Sequence, residues 1–86
     1  MQLSGKKRKS SRSLVDLIHG QEAIIKRFEL PEQFARRLME LGFLPGGKVR
    51  AGRTAPGGDP RVFEVDGSEI ALRRETAQHI HIETAS

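Results

Sequence analysis

The stretch Arg37-Leu-Met-Glu-Leu-Gly-Phe-Leu-Pro-Gly-Gly-Lys-Val49 constrains this chain more than any other. It reads as the end of a helix, a glycine stop, a tight turn and the start of a strand. Leu38 and Leu41 are three residues apart and share a helix face, with Phe34 one turn earlier on the same stripe. Gly42 follows the stripe at the place where a left-handed closing residue is needed. Pro45 presets one turn dihedral, and Gly46 and Gly47 permit reversal into a strand beginning near Lys48. A helix turned back onto a sheet this abruptly is expected to plug one end of a small barrel.

The rest of the chain supplies the strands. Gln21–Leu30 is bounded by Gly20 and Pro31, is rich in β-branched residues, and reads as the first long strand. The Ile24-Ile25 pair breaks its alternation and predicts a bulge or two-sided burial. Pro31 and Glu32 suit a helix start, so the helix is expected over about 32–41, with Phe34, Leu38 and Leu41 inward and Arg36 paired to Glu40. Lys48–Thr54 alternates as a strand, with Val49 and Ala51 on one face. Residues 55–60, Ala-Pro-Gly-Gly-Asp-Pro, form a loop by composition; no Lys-Ser or Lys-Thr pair follows, so a phosphate loop is not indicated. Two short strands, 61–65 and 69–73, meet at Asp66-Gly67, a dipeptide favoured in tight hairpins. A helical turn over about 74–78 leads into the strictly alternating His79–Glu83. Before all of these, Ser13 opens a short apolar run ending at Gly20, read as one helical turn or a short strand. The predicted fold class is mainly β: a small, bent barrel of about five antiparallel strands with one real helix.

Length and charge bound the rest. With 86 residues there is room for one domain and no second core. No cysteine is present, which excludes disulfides, thiolate catalysis and cysteine-ligated metal centres. The +4 net charge is uneven: five of the 15 Lys and Arg fall in residues 1–13 with no acidic residue, leaving ten against 11 acidic residues. Residues 1–12 therefore read as a disordered basic leader and 13–84 as the domain. The near-balanced domain and the absence of Trp and Tyr argue against nucleic-acid binding. Neither a secretory signal nor a membrane-spanning run is visible, so the chain is expected to be cytoplasmic.

No catalytic constellation emerges: serines sit in the leader or in a hairpin turn, and carboxylates are scattered singly. The expectation is a protein that is not an enzyme. One set carries metal chemistry on paper: His79, His81 and Glu83 alternate to one strand face, about 6.6 Å apart at the usual rise of about 3.3 Å per residue. Two imidazoles and a carboxylate suit zinc or ferrous iron, although Ile80 and Ile82 facing inward would put the histidines outside simply as surface residues. For a partner, Phe43, Leu44 and Pro45 are the candidate contacts, because Phe43 and Leu44 are adjacent and cannot both point inward. Leu44 is the stronger candidate of the two, and weak self-association is a further expectation.

Three pieces, residues 37–49, 55–65 and 67–83, occur in an order and spacing that resemble the FeoA family of bacterial ferrous iron uptake proteins. The resemblance covers roughly Ser13 to Glu83. It implies an SH3-like barrel and an accessory role exerted by binding the FeoB iron permease at its cytoplasmic region. Related SH3-like domains close iron-dependent repressors, so a regulatory domain acting on such a repressor or another partner is the alternative. The leader and His79-Ile80-His81 have no counterpart in the family pattern.

Overall fold

The computed structural model describes residues 12–84. Five strands, β1 (Glu22–Phe28), β2 (Lys48–Thr54), β3 (Arg61–Val65), β4 (Ser68–Leu72) and β5 (Ile80–Thr84), form one antiparallel sheet in the order β4-β3-β2-β1-β5. Helix α1 spans Glu32–Glu40 and the single turn α2 spans Arg74–Ala77. The mainly-β, five-stranded expectation holds, with element ends within one residue or two.

Bending comes from two irregularities. The β1–β5 register shifts between Ile25 and Arg27, and the β2–β3 register shifts between Ala51 and Thr54. Each extra residue kinks its strand and raises the local twist, which curls a five-stranded sheet around its own inner face. The first of these falls one residue past the Ile24-Ile25 break in alternation. The hairpin between β3 and β4 turns on Asp66 and Gly67, whose φ values of 51° and 81° are the two positive dihedrals a type I′ turn needs.

The curled sheet encloses Ala23, Ile25, Val49, Ala51, Phe63, Val65, Leu72, Ile80 and Ile82, all buried. Leu14 and Leu17 seal one side from the 3-10 turn Leu14–Asp16, where the Asp16 carboxylate accepts a hydrogen bond from the Ser13 backbone N–H at 2.9 Å. Each large core side chain contributes about 1.5–3 kcal/mol, which a domain this small needs.

The bent sheet does not close on itself by strand pairing: among the described residues no ladder joins β4 to β5. The outer side of β5 is covered instead by the incoming chain, with Ser13 bridged to His81 and the Ile82 N–H donating to the Arg12 carbonyl at 3.0 Å. Arg12 therefore belongs to the fold, and the expected leader otherwise lies outside the described residues.

Helix α1 turns a different face inward from the one its sequence stripe suggests. Ala35 and Leu38 face the core, whereas Phe34 and Leu41 are 54% and 47% exposed. The line of contact runs midway between Ala35 and Leu38, which at about 3.6 residues per turn leaves Phe34 and Leu41 some 70–90° around the helix. The apolar stripe is real, but only its edge is used for packing. Arg36 likewise pairs backward with Glu32 at 3.0 Å and not forward with Glu40, the orientation that complements the helix dipole.

Candidate partner-binding site

The helix ends in a Schellman motif. The Gly42 N–H donates to the Met39 carbonyl and the Phe43 N–H to the Leu38 carbonyl, both at 3.0 Å, while Gly42 takes φ +112°. Phe43 and Leu38, the two positions such a cap brings together, both belong to the buried core cluster. Phe43 is 0% exposed, so it is removed from the candidate contact residues: it is a core residue. Leu44, next along the chain, is 51% exposed, and Pro45 is exposed as well. Leu44–Gly47 then closes as a type II turn, with the Gly47 N–H on the Leu44 carbonyl at 2.8 Å and Gly46 at φ +86°. Strand β1 grips this turn: the Gly46 N–H donates to the Ile25 carbonyl at 2.7 Å, and the Ile25 N–H to the Gly47 carbonyl at 2.9 Å. Leu44 and Pro45 therefore project from a rigid base.

A larger apolar feature lies beside α1. Leu30, Pro31, Phe34, Leu38, Leu41 and Leu72 line a groove of about 590 Å³ between α1 and α2. Its rim is polar, carrying Arg37, Glu75, Gln78 and His79. Side chains of this size left open to water around a concavity are the makings of a protein contact. The sequence stripe contained Phe34 and Leu41 but placed both inward, and the structure leaves them open on this groove.

The structure does not gather the proposed metal residues. His79 sits in the turn before β5, at the groove rim. Glu83 lies 3.6 Å from the Lys26 ammonium, and His81 lies against Glu29, Nε2 to Oε1 2.8 Å. His81 is not a solvent-facing ring, since its side chain is only 13% exposed and its Nδ1 is buried without a hydrogen-bond partner. A carboxylate accepts only, so the shared proton is on Nε2. The His81 hydrogen bond, followed by the fields of His81, Arg27 and His79, holds the Glu29 carboxyl below its ordinary value of 4.5. Among the described residues no three His, Asp or Glu side chains converge as a metal-holding group.

A family model for the FeoA domain matches residues 12–84, the whole of the described fold. The chain belongs to the FeoA family. A Porphyromonas gingivalis protein, the Fe(2+) transport protein A/Fe(2+) transporter FeoB fusion protein, is 34% identical over 73 residues. That match spans 85% of this chain and 9% of the relative, so the present chain corresponds to a small part of it. The solution structure of iron(II) transport protein A from Clostridium thermocellum superposes with a TM-score of 0.81 at 34% identity, covering 86% of this chain and 46% of that one. The crystal structure of Stenotrophomonas maltophilia FeoA complexed with zinc, described as an SH3 domain protein, superposes at 0.73 and 30% identity, covering 84% and 89%. The expected SH3-like class of this FeoA fold is thereby established.

Proposed function

We propose that this FeoA-family chain is a non-enzymatic accessory protein of ferrous iron uptake that acts from the cytoplasmic side by binding a FeoB-type permease. The observation that carries the reading is the P. gingivalis relative, whose name joins the A protein and the FeoB transporter in one polypeptide. Fusion raises the effective concentration of two modules to the millimolar range, a gain realised only where they engage each other. The groove beside α1 is the contact face favoured by geometry: it offers two large exposed side chains around a concavity, where the turn offers one, Leu44, beside Pro45. Iron is the cargo of the permease in this reading. The accessory protein acts through binding energy that favours one conformation of its partner.

The test is a binding titration with the soluble cytoplasmic region of the cognate permease, comparing wild type with Phe34→Glu and Leu44→Glu. Both side chains are about half exposed, so both variants are expected to stay folded. Phe34→Glu should weaken binding by at least about 2 kcal/mol, the scale of a hot spot, and Leu44→Glu by clearly less. The opposite order would move the contact to the turn. Absence of binding by the wild type would remove the partner.

A further inference from the structure

We infer that a second concavity, on the other side of α2 from the groove, is a binding site for a carboxylate carrying a short apolar body. It lies between the Leu14–Asp16 turn, the loop joining β2 to β3, and α2, and encloses about 450 Å³, within the range of small-molecule sites. Nothing in the permease reading requires it.

The walls divide by chemistry. Leu17, Phe63, Leu72 and Ala77 supply an apolar floor, with Ile18 exposed at the mouth. Four charged side chains line the rest: Asp16, Asp59, Arg61 and Arg74. The two carboxylates are already engaged. Asp16 Oδ2 accepts from the Ser13 backbone N–H at 2.9 Å, and Asp59 Oδ1 accepts from the Arg74 backbone N–H at 2.8 Å. The two guanidinium groups have no such partners: among the described residues neither Arg61 nor Arg74 makes an ion pair.

Arg61 is the unusual one. Its Nε is buried and lacks a hydrogen-bond partner, and its guanidinium carbon lies 5.7 Å from the centre of the Phe63 ring. A buried donor on a charged group is costly when left unmatched, and native folds satisfy nearly all of them. The cation–π contact with Phe63 holds the guanidinium over the apolar floor but satisfies none of its N–H donors. A planar fork of donors in that position suits a carboxylate, which it grips by two parallel hydrogen bonds, better than a spherical anion. Beside it, the floor would accept a few methylenes. Arg74, on the adjoining wall, brings further donors; Asp16 and Asp59 balance the two positive charges, so the preference for an acid over an uncharged analogue of the same shape rests on the free guanidinium donors.

The carboxylate has two natural sources, a free small organic acid or the free C-terminus of an apolar peptide. The experiment uses the full chain, followed by nitrogen–proton correlation NMR in which both the backbone amides and the arginine Nε–H groups are read. Three pairs of arms are run: hexanoate against hexanol, a short apolar peptide acid against its amide, and wild type against Arg61→Gln and Arg74→Gln. Hexanoate or the peptide acid should shift the Arg61 Nε–H and the amides of Leu17, Ile18 and Ala77 saturably, with a Kd near about 1 mM. Whichever of the two binds names the source. Hexanol and the amidated peptide should bind at least about tenfold more weakly, and so should Arg61→Gln toward the acid. Should Arg61→Gln fail to fold, the Arg74→Gln variant, expected to lose severalfold, and the wild-type acid–neutral comparison still decide. Neither acid shifting these signals saturably, or acid and neutral probes binding alike, would overturn the assignment.

Discussion

Replacing Gly42 with alanine tests the feature on which the helix-to-sheet reversal depends. At φ +112° an L-residue is strained by about 1–2 kcal/mol. A Cβ there would also stand 3.3 Å from Val65 Cγ2, a fully packed core side chain that must give way, at a cost of about 1 kcal/mol. Alanine restricts the unfolded chain and returns about 0.7 kcal/mol. The expected net loss is about 2 kcal/mol, a large part of the few kcal/mol that hold such a domain together. Gly46→Ala is the internal control, since Gly46 also has positive φ, +86°, but an added Cβ meets nothing within 4 Å. It should lose only about 1 kcal/mol, all of it backbone strain. The chain has no Trp or Tyr, so urea and thermal unfolding are followed by far-ultraviolet circular dichroism. At about 4–8 °C per kcal/mol, Gly42→Ala should melt some 8–16 °C below wild type and Gly46→Ala about half as far below. A Gly42→Ala protein within about 0.5 kcal/mol of wild type, or no less stable than Gly46→Ala, would refute both the cap and the packing against Val65.

Other perturbations separate core from surface. Leu38→Ala should cost about 2–4 kcal/mol by urea unfolding, because Leu38 is buried in the core cluster, whereas Phe34→Ala on the same helix should cost well under 1 kcal/mol. Deleting residues 1–11 should leave stability within about 0.5 kcal/mol; carrying the deletion through Leu14 removes a fully buried side chain and the Arg12–Ile82 hydrogen bond, and should cost several times more in a melting scan. The Glu29 carboxyl has a depressed folded-state pKa, so its contribution to stability is present above the unfolded value and is lost as pH falls through the lower folded value. A carboxyl-carbon NMR titration should place Glu29 below 4.5, and His81→Asn should return it toward that ordinary value; a titration unmoved by the substitution would remove His81 as the cause.

Much of this fold was legible because its punctuation is chemical. Gly42, Pro45 with Gly46, and Asp66 with Gly67 each mark a reversal that few other residues allow, and the elements between them fall where those breaks require. What was hidden depends on register and docking. His81 meets Glu29, and Glu83 meets Lys26, through the β1–β5 pairing, whose bulge between Ile25 and Arg27 sets which side chains are opposite. Alternation along β5 alone suggested a His-His-Glu face; the neighbouring strand divided it. The Arg61 cavity was equally invisible, since its walls come from three segments brought together only by the curl of the sheet.

Helix α1 has the same kind of ambiguity, and its resolution bears on function. Nine residues long, it commits only Ala35 and Leu38 to the core, and it is tied to the sheet by the cap that Gly42 and Phe43 complete. The core is closed without Phe34 or Leu41, so their exposure is not a packing defect that a better rotamer would repair. Turning the helix about 80° to bury them would lift Ala35 out of the core and carry Leu38 away from the place where the cap holds it. The geometry at Gly42 therefore sets which edge of the stripe serves stability and which edge, with the α2 rim, is left for a partner. A substitution that loosened the cap would be expected to damage binding and folding together, whereas one at Phe34 would damage binding alone.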